Sequence, residues 1–212
     1  QSTASTDFPW LSFQSCQIAN CDATAIRVSF AGEAGWEIHC DMADIVAVYD
    51  AIMAAGAPHN LGHFGMLALD SMRLEKGYRA WKGDLSTDYS LLEGGLDRFV
   101  KLDKPQDFPG KAAIQNEMQK GPKKTFVTMI VDVGDADAPY MSCIWKDGEI
   151  VGETTSGDYG YRVDASIALG TLRSDLAVPG TEVEVEIYGE KFRAVVQEDQ
   201  PLWDPSNIRL RA

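Results

Sequence analysis

The sequence predicts an α+β part over residues 1–118, followed by a small antiparallel β-barrel over residues 123–212. Three observations carry this expectation. The stretch Ala43–Ala55 (ADIVAVYDAIMAA) places Ile45, Val48, Tyr49, Ile52 and Met53 at three- and four-residue steps, the period of a helix with one apolar face. A basic run with Gly and Pro, Gln119–Lys124 (QKGPKK), marks a linker. Beyond it, short apolar runs alternate with turn residues, the pattern of a small barrel or sandwich.

The elements follow in order. Residues 1–7 are a frayed start, and Asp7 is placed to cap a short helix with Pro9 in its first turn. Trp10, Leu11 and Phe13 form the apolar side of that helix. Ala25–Phe30 (AIRVSF) and Trp36–Cys40 (WEIHC) alternate, and the Gly-containing AGEAG between them gives a hairpin. The helix over Ala43–Ala55 ends at Gly56. Met66–Trp81 (MLALDSMRLEKGYRAW) reads as a second helix, with Leu67, Ser71, Leu74 and Tyr78 on its buried face and Gly77 as its stop. Asp84–Asp107 holds turns, a polar DLSTDYS run and a short strand near Phe99–Leu102. Phe108–Met118 is a short helix with Pro109 in its first turn. Barrel strands are expected at Phe126–Val131, Ser142–Trp145, Ile150–Thr155, Ala168–Leu172, Glu182–Ile187 and Phe192–Val196, with tight turns at Asp147-Gly148 and Tyr188-Gly189. The polar tail Asp204–Ala212 is expected to be peripheral.

The chain of 212 residues is 45% hydrophobic, enough to bury a core in one or two domains. Nineteen basic residues against 32 acidic give a net charge of −13, which argues against nucleic acid and anionic membrane surfaces as partners. No apolar run reaches the roughly 18 residues of a membrane helix. The opening QSTASTDF is polar and lacks the basic start of a secretory signal. Cys16, Cys21, Cys40 and Cys143 read as free thiols in a reducing compartment, so the expected location is cytoplasmic. Cys16 and Cys21 do not have zinc-knuckle spacing. His39 and Cys40 are strand neighbours that point to opposite faces, so no metal site is expected.

No Ser-His-Asp or Cys-His signature, phosphate loop or GxGxxG is present. The Gly-rich SGDYGYR (Ser156–Arg162) lacks the strand-to-helix context of a phosphate loop and reads as a turn between barrel strands. Asp84 and Asp88 read as part of a solvated loop rather than as a carboxylate pair. Arg73 lies beside the apolar stripe of its helix. It is either a surface arginine paired with Asp70 or Glu75, or a cation aimed into a pocket. Glu37 alternates with Trp36 and Ile38, so it points to the opposite face of its strand; spacing alone makes it an exposed strand glutamate.

Five segments together resemble one family. RVSFAGEAGWEIHC (Arg27–Cys40) resembles the RxxYTGExGYE motif of the glycine cleavage T protein (aminomethyltransferase) family. LALDSMRLEKGYRAWKGDL (Leu67–Leu85) resembles its LxxRDxLRLEAGxxLYGxxL helix, and LLEGGLDRFVKLDKPQDFPGKAAI (Leu91–Ile114) its PLEAGLGWxVxxxKxDFIGxxAL segment. TSGDYGYRVDASIALGTL (Thr155–Leu172) looks like SGxxSPxLxxxIALGYV, and GTEVEVEIYGEKFRAVV (Gly180–Val196) like GxxVxVxVRGKxxxAxV. Order and spacing agree over almost the whole chain. MRLEKGYRAW, VKLDK and the closing DQPLWDPSNIRLRA look more like the C-terminal folate-binding portion of dimethylglycine and sarcosine dehydrogenases than like the free-standing T protein.

The resemblance implies the α+β part of the T-protein folate-binding fold with its C-terminal barrel. It also implies one-carbon transfer from an N-methyl amine or aminomethyl donor to tetrahydrofolate. Phe30, Glu37, Arg73 and Trp81 would line the folate site. Phe30 stands where the family has a tyrosine beside the pterin, and it lacks the hydroxyl. Glu37 would accept hydrogen bonds from the pterin amino group and ring N–H. Arg73 would be a fixed cation orienting Glu37 or the folate, and Trp81, matching a family tyrosine, would stack near the ligand. Arg98 replaces a usual aromatic ring. The partners implied are folate, a small-molecule methylamine donor and an N-terminal half of the same fold. That half carries the family's catalytic aspartate and would precede residue 1; FAD would sit only in a further preceding domain. The chain is therefore expected to be a C-terminal portion, inactive alone, with an apolar surface on residues 8–40 where the other half packs. Two alternatives use the same fold. One is a non-catalytic folate-binding assembly module, whose KGCYxGQE-type cysteine is absent from EKGYRAWKGDL. The other is a folate-dependent demethylase acting on a sulfonium compound.

Overall fold

A computed structural model describes residues 2–212. Its first strand, β1 (Phe13–Ile18), lies where an apolar helix side was expected. The segment before it is a set of turns: Asp7 N–H and Phe8 N–H both donate to Ala4 O, and Leu11 takes a left-handed φ of 62°, which no helix interior accommodates. β1 turns through Ala19-Asn20, both at positive φ, into β2 (Cys21–Ile26). β2 pairs antiparallel with β3 (Glu37–Cys40), giving the sheet order β1-β2-β3. The expected β2–β3 hairpin is present, but β2 ends four residues before Phe30, which lies in the long connecting loop.

Helix α1 (Ile45–Gly56) follows, then a 3-10 turn at Ala57–His59 and helix α2 (Met66–Leu74). Gly77 closes α2 as expected. It sits at φ 63° and donates to Leu74 O, while Tyr78 N–H donates to Arg73 O, a Schellman cap. Only part of the expected α2 face is buried: Ser71 and Leu74 are, but Leu67 is 83% exposed.

The described chain divides into two compact units. Residues up to Met72 together with Asp204–Ala212 form the first, and Arg73–Trp203 the second. The tail is an integral part of the first unit rather than peripheral. The Asp204 carboxylate accepts from the N–H groups of Ile208, Arg209 and Leu210, and Leu210 is buried. Arg27, fully buried, donates to the carbonyls of Phe8 (2.5 Å), Arg211 (3.1 Å) and Ala212 (2.5 Å), and its guanidinium lies 5.6 Å from the Trp36 ring centre. A polar sequence hid this because its polar groups are spent on its own backbone. Arg27→Met should lower the stability of the first unit by about 2 kcal/mol, since it removes the donor to three carbonyls, that of buried Phe8 among them. Faster amide exchange in β1 and β2 is the readout, and unchanged exchange would remove Arg27 from this role.

In the second unit, α3 (Lys111–Lys120) begins after Pro109 and Gly110, close to expectation. The strand expected at Phe99–Leu102 is instead a 3-10 turn at Asp97–Phe99. The barrel explains why. β4 (Lys124–Val131), β5 (Cys143–Lys146), β6 (Glu149–Gly160), β7 (Ala165–Arg173), β8 (Glu182–Ile187) and β9 (Glu190–Val196) close in the order β4-β7-β6-β5-β8-β9, all antiparallel. A closed barrel offers no free strand for another to pair with. Asp147-Gly148 and Tyr188-Gly189 make the two tight turns, all four residues at positive φ. Met129, Ile144, Leu172 and Val185 fill the interior with no exposure. SGDYGYR is not a turn: its first five residues complete β6, and the turn is Tyr161–Asp164.

Candidate functional site

Glu37 opens β3 opposite Ile26, which is itself opposite Phe13 on β1. Antiparallel partners share a face, so Phe13, Ile26 and Glu37 form one rung. The next rung on that face is Ser15, Thr24 and His39. This is the more open face of the sheet. The Glu37 side chain is 60% exposed, and its ion pair is a 3.4 Å contact with His39 Nε2 at the surface. Such a surface pair holds the carboxylate weakly. Phe30 is partly exposed in the loop before β3. The opposite face carries Cys16, Ala23 and Cys40 in one rung. The four cysteines are free and half-buried, and partial burial with the Asp44 carboxylate pushes the Cys21 thiol up, away from thiolate chemistry. Among the described residues no group of three or more His, Cys, Asp or Glu side chains is arranged to hold a metal.

Arg73 and Trp81 belong to the second unit, and one carboxylate connects them. Asp84 is fully buried, not solvated. Its Oδ2 accepts from Arg73 Nη1 (2.7 Å) and from the backbone N–H of Ala80 (2.7 Å). Its Oδ1 accepts from Thr155 Oγ1 (2.5 Å) and Ser156 Oγ (2.8 Å). Arg73 is itself 4% exposed and also donates from Nη2 to Ser156 Oγ (2.8 Å). The guanidinium is buried and committed to Asp84 and Ser156 inside the unit, not spread on the surface.

Two adjacent strand residues reach one carboxylate oxygen because β6 is irregular. Its register against β7 slips between Thr154 and Ser156. The extra residue, Thr155, re-aims its hydroxyl to the side that Ser156 also faces. Asp84 in turn frames the tight loop Ala80–Leu85, in which Asp84 N–H and Leu85 N–H donate to Ala80 O and Lys82 N–H donates to Leu85 O. Trp81 stands on this loop, 74% exposed. Arg73 thus bears on Trp81 through Asp84, as a positioning group.

Sequence reasoning missed Asp84, Thr155 and Ser156 as one cluster. Helical neighbour rules reach three or four positions, whereas Asp84 is eleven from Arg73 and Ser156 a further 72 from Asp84. A second buried pair lies nearby in the sequence. Glu75 accepts from Arg162 Nε and from Arg162 N–H (2.6 Å), and Arg162 stacks over Trp203. Tyr89 donates to Glu153 (3.3 Å); burial and the Glu153 charge push its phenol up to about 12, so it remains a donor at neutral pH.

A small α+β sheet with an open carboxylate face, joined in sequence to a closed six-stranded antiparallel barrel, defines an α+β protein with a C-terminal barrel domain. Residues 1–104 match the GCVT N-terminal domain, and residues 124–204 match the glycine cleavage T-protein C-terminal barrel domain. Human mitochondrial dimethylglycine dehydrogenase is 41% identical over 205 residues, 96% of this chain and 24% of that protein. Mouse mitochondrial sarcosine dehydrogenase is 35% identical over 213 residues, 96% of this chain and 23% of that protein. The crystal structure of glycine cleavage system aminomethyltransferase T from Bartonella henselae superposes with a TM-score of 0.78 at 26% identity, over 86% of this chain and 50% of that one. The chain belongs to the glycine cleavage T-protein family. It spans about a quarter of the length of the dehydrogenase relatives it matches.

Proposed function

We propose that this chain is the tetrahydrofolate-binding portion of an aminomethyltransferase-like enzyme. Its reaction is one-carbon transfer from an N-methyl amine or aminomethyl donor to tetrahydrofolate. The observation that carries the reading is Glu37: a carboxylate on an open sheet face, its side chain 60% exposed. An amino group and an adjacent ring N–H on one edge of a flat heterocycle form a paired donor that suits such a carboxylate, and charge-assisted bonds of this kind are the strong ones. Phe30, in the loop leading into β3, supplies an apolar flank. Trp81 is an exposed aromatic ring of the second unit, on a loop held by Asp84 and Arg73. The chain binds and orients folate so that its amine nitrogens meet the one-carbon donor, a contribution of proximity rather than proton transfer.

The 212 residues alone are expected to bind folate without turning it over. Calorimetric titration with tetrahydrofolate tests the reading. Glu37→Gln, which keeps the shape but removes the charge, should weaken binding by at least about tenfold, corresponding to 1.4 kcal/mol. Equal affinity in the wild type and Glu37→Gln would overturn the assignment of Glu37. Formation of methylenetetrahydrofolate by the 212 residues would overturn the expected inactivity.

A further inference from the structure

We propose that Arg79 and Arg98, both in the second unit, form a binding site for a small oxyanion of two negative charges, a phosphate or a dicarboxylate. The site stands apart from the folate reading, which rests on Glu37.

The two arginines break a pattern that others in the chain keep. Arg73, Arg162, Arg173, Arg193 and Arg209 each meet a carboxylate. Arg79 and Arg98 have none within ion-pair distance among the described residues, in a chain with 32 acidic residues against 19 basic. Arg79 is half-buried and held on three sides. Its Nε donates to Gly94 O (2.6 Å), its Nη1 donates to Gly77 O (3.3 Å), and its guanidinium lies 4.1 Å from the centre of the Phe126 ring. These contacts orient the guanidinium and neutralise nothing. Nη2 has no acceptor among the described residues and is open to solvent. It lies against Gly95, where a Cβ would stand 2.5 Å from it, so a glycine at φ 63° keeps that edge of the fork clear.

The same segment brings in the second cation. Gly94 and Gly95 lead directly into the turn Leu96–Phe99, closed by the Phe99 N–H donating to Leu96 O (3.0 Å), and Arg98 is the third residue of that turn. The chain therefore carries Arg98 back within one turn of the glycine that Nη2 faces. Arg98 is exposed, its guanidinium 4.9 Å from the Phe99 ring centre. The two charges act on each other: burial, and after it the charge of Arg98, lower the Arg79 pKa, while Asp199, Asp84 and Asp97 pull the other way without reversing it. Neighbouring like charges are unfavourable until an anion joins them.

Charge and shape define the ligand. A guanidinium presents a planar fork of donors that matches carboxylate and phosphate oxygens, and two such groups balance two negative charges. The net charge of −13 repels a polyanion along its whole length, which excludes nucleic acid, whereas a small anion in the site answers mainly to charges within about 8 Å at physiological salt. Two sources supply such a group, a free small anion and the glutamyl end of a folate, and the test separates them.

The arginine Nε–H signals of the 212-residue chain are followed by NMR during titration with inorganic phosphate and with succinate at constant ionic strength. The Arg79 and Arg98 signals should shift saturably, with a dissociation constant at or below about 1 mM. Those of Arg173 and Arg193, already paired with carboxylates at the surface, are the reference. Arg98→Gln leaves the contacts of Arg79 in place and should weaken binding by about tenfold, because one of the two charge-assisted donors is gone. Tetrahydrofolate added to the phosphate-saturated chain separates the sources: displacement assigns the site to the glutamyl end, and simultaneous binding to a free anion. Shifts that grow linearly with concentration, that chloride reproduces, or that persist unchanged in Arg98→Gln would overturn the site. A chain that binds no folate would sink the Glu37 reading and leave the phosphate and succinate titrations to decide this one.

Discussion

Asp84→Ala is expected to destabilise the second unit by about 4 kcal/mol, the range for breaking a buried ion pair by removing one partner. Four donors lose their acceptor at once: Arg73 Nη1, the Ala80 N–H, Thr155 Oγ1 and Ser156 Oγ. Arg73 still donates to Ser156 Oγ and Tyr78 O, but its guanidinium, 4% exposed, loses the buried carboxylate that balances its charge. Replacing both charges with apolar groups of similar size, Arg73→Met with Asp84→Leu, should recover part of the loss, because the largest penalty is the buried charge left behind. Urea titration followed at the barrel checks both variants. An Asp84→Ala protein within about 1 kcal/mol of wild type would mean that water reaches the cluster and that the pair is not load-carrying.

Gly157→Ala is expected to cost about 3 kcal/mol and to lower the calorimetric transition of the barrel by about 10 °C. A Cβ at Gly157 would stand 2.2 Å from the Ala138 carbonyl oxygen and 3.0 Å from the Ala138 Cβ. Both neighbours are held against β6, so the strand and the crossing segment would have to part. Gly62→Ala is the control: a Cβ there meets nothing within 4 Å, and the variant should match wild type within about 0.5 kcal/mol. Equal losses in the two variants would show that the contact with Ala138 does not set the effect.

Much of the fold was legible because its signals are local. The period of α1, the Gly77 cap and the two-residue turns at Asp147-Gly148 and Tyr188-Gly189 each follow from a few adjacent residues, and all four stand where expected. β1 escaped because FQSCQI alternates in exposure but not in polarity. The glycines of SGDYGYR were placed in a turn because glycine usually marks one. Here Gly157 and Gly160 serve close packing inside β6, and an added Cβ at Gly160 would come within 2.6 Å of Ile167 Cδ1. The tail misled through its polarity, which is consumed by its own backbone and by Arg27.

The residues proposed for folate were found differently. Phe30, Glu37, Arg73 and Trp81 came from resemblance, not from spacing. Spacing left Glu37 an exposed strand residue, and it is exposed. It did not reach Asp84 as a partner of Arg73, because Asp84 approaches it only once the loop after α2 and the irregular stretch of β6 are both built.

The two sheets differ in how they would fail. The barrel leaves no strand unpaired along its length, whereas β1 and β3 each bound a three-stranded sheet. Bounding strands of that kind are templates for intermolecular β-pairing. β1 carries no charged residue in its six positions, so nothing there repels a second copy of itself. Precipitates that form on storage or heating should therefore grow from residues 13–18, with the barrel still folded inside them. A lysine placed at Ser15, on the open face, is the simplest way to make the protein easier to concentrate.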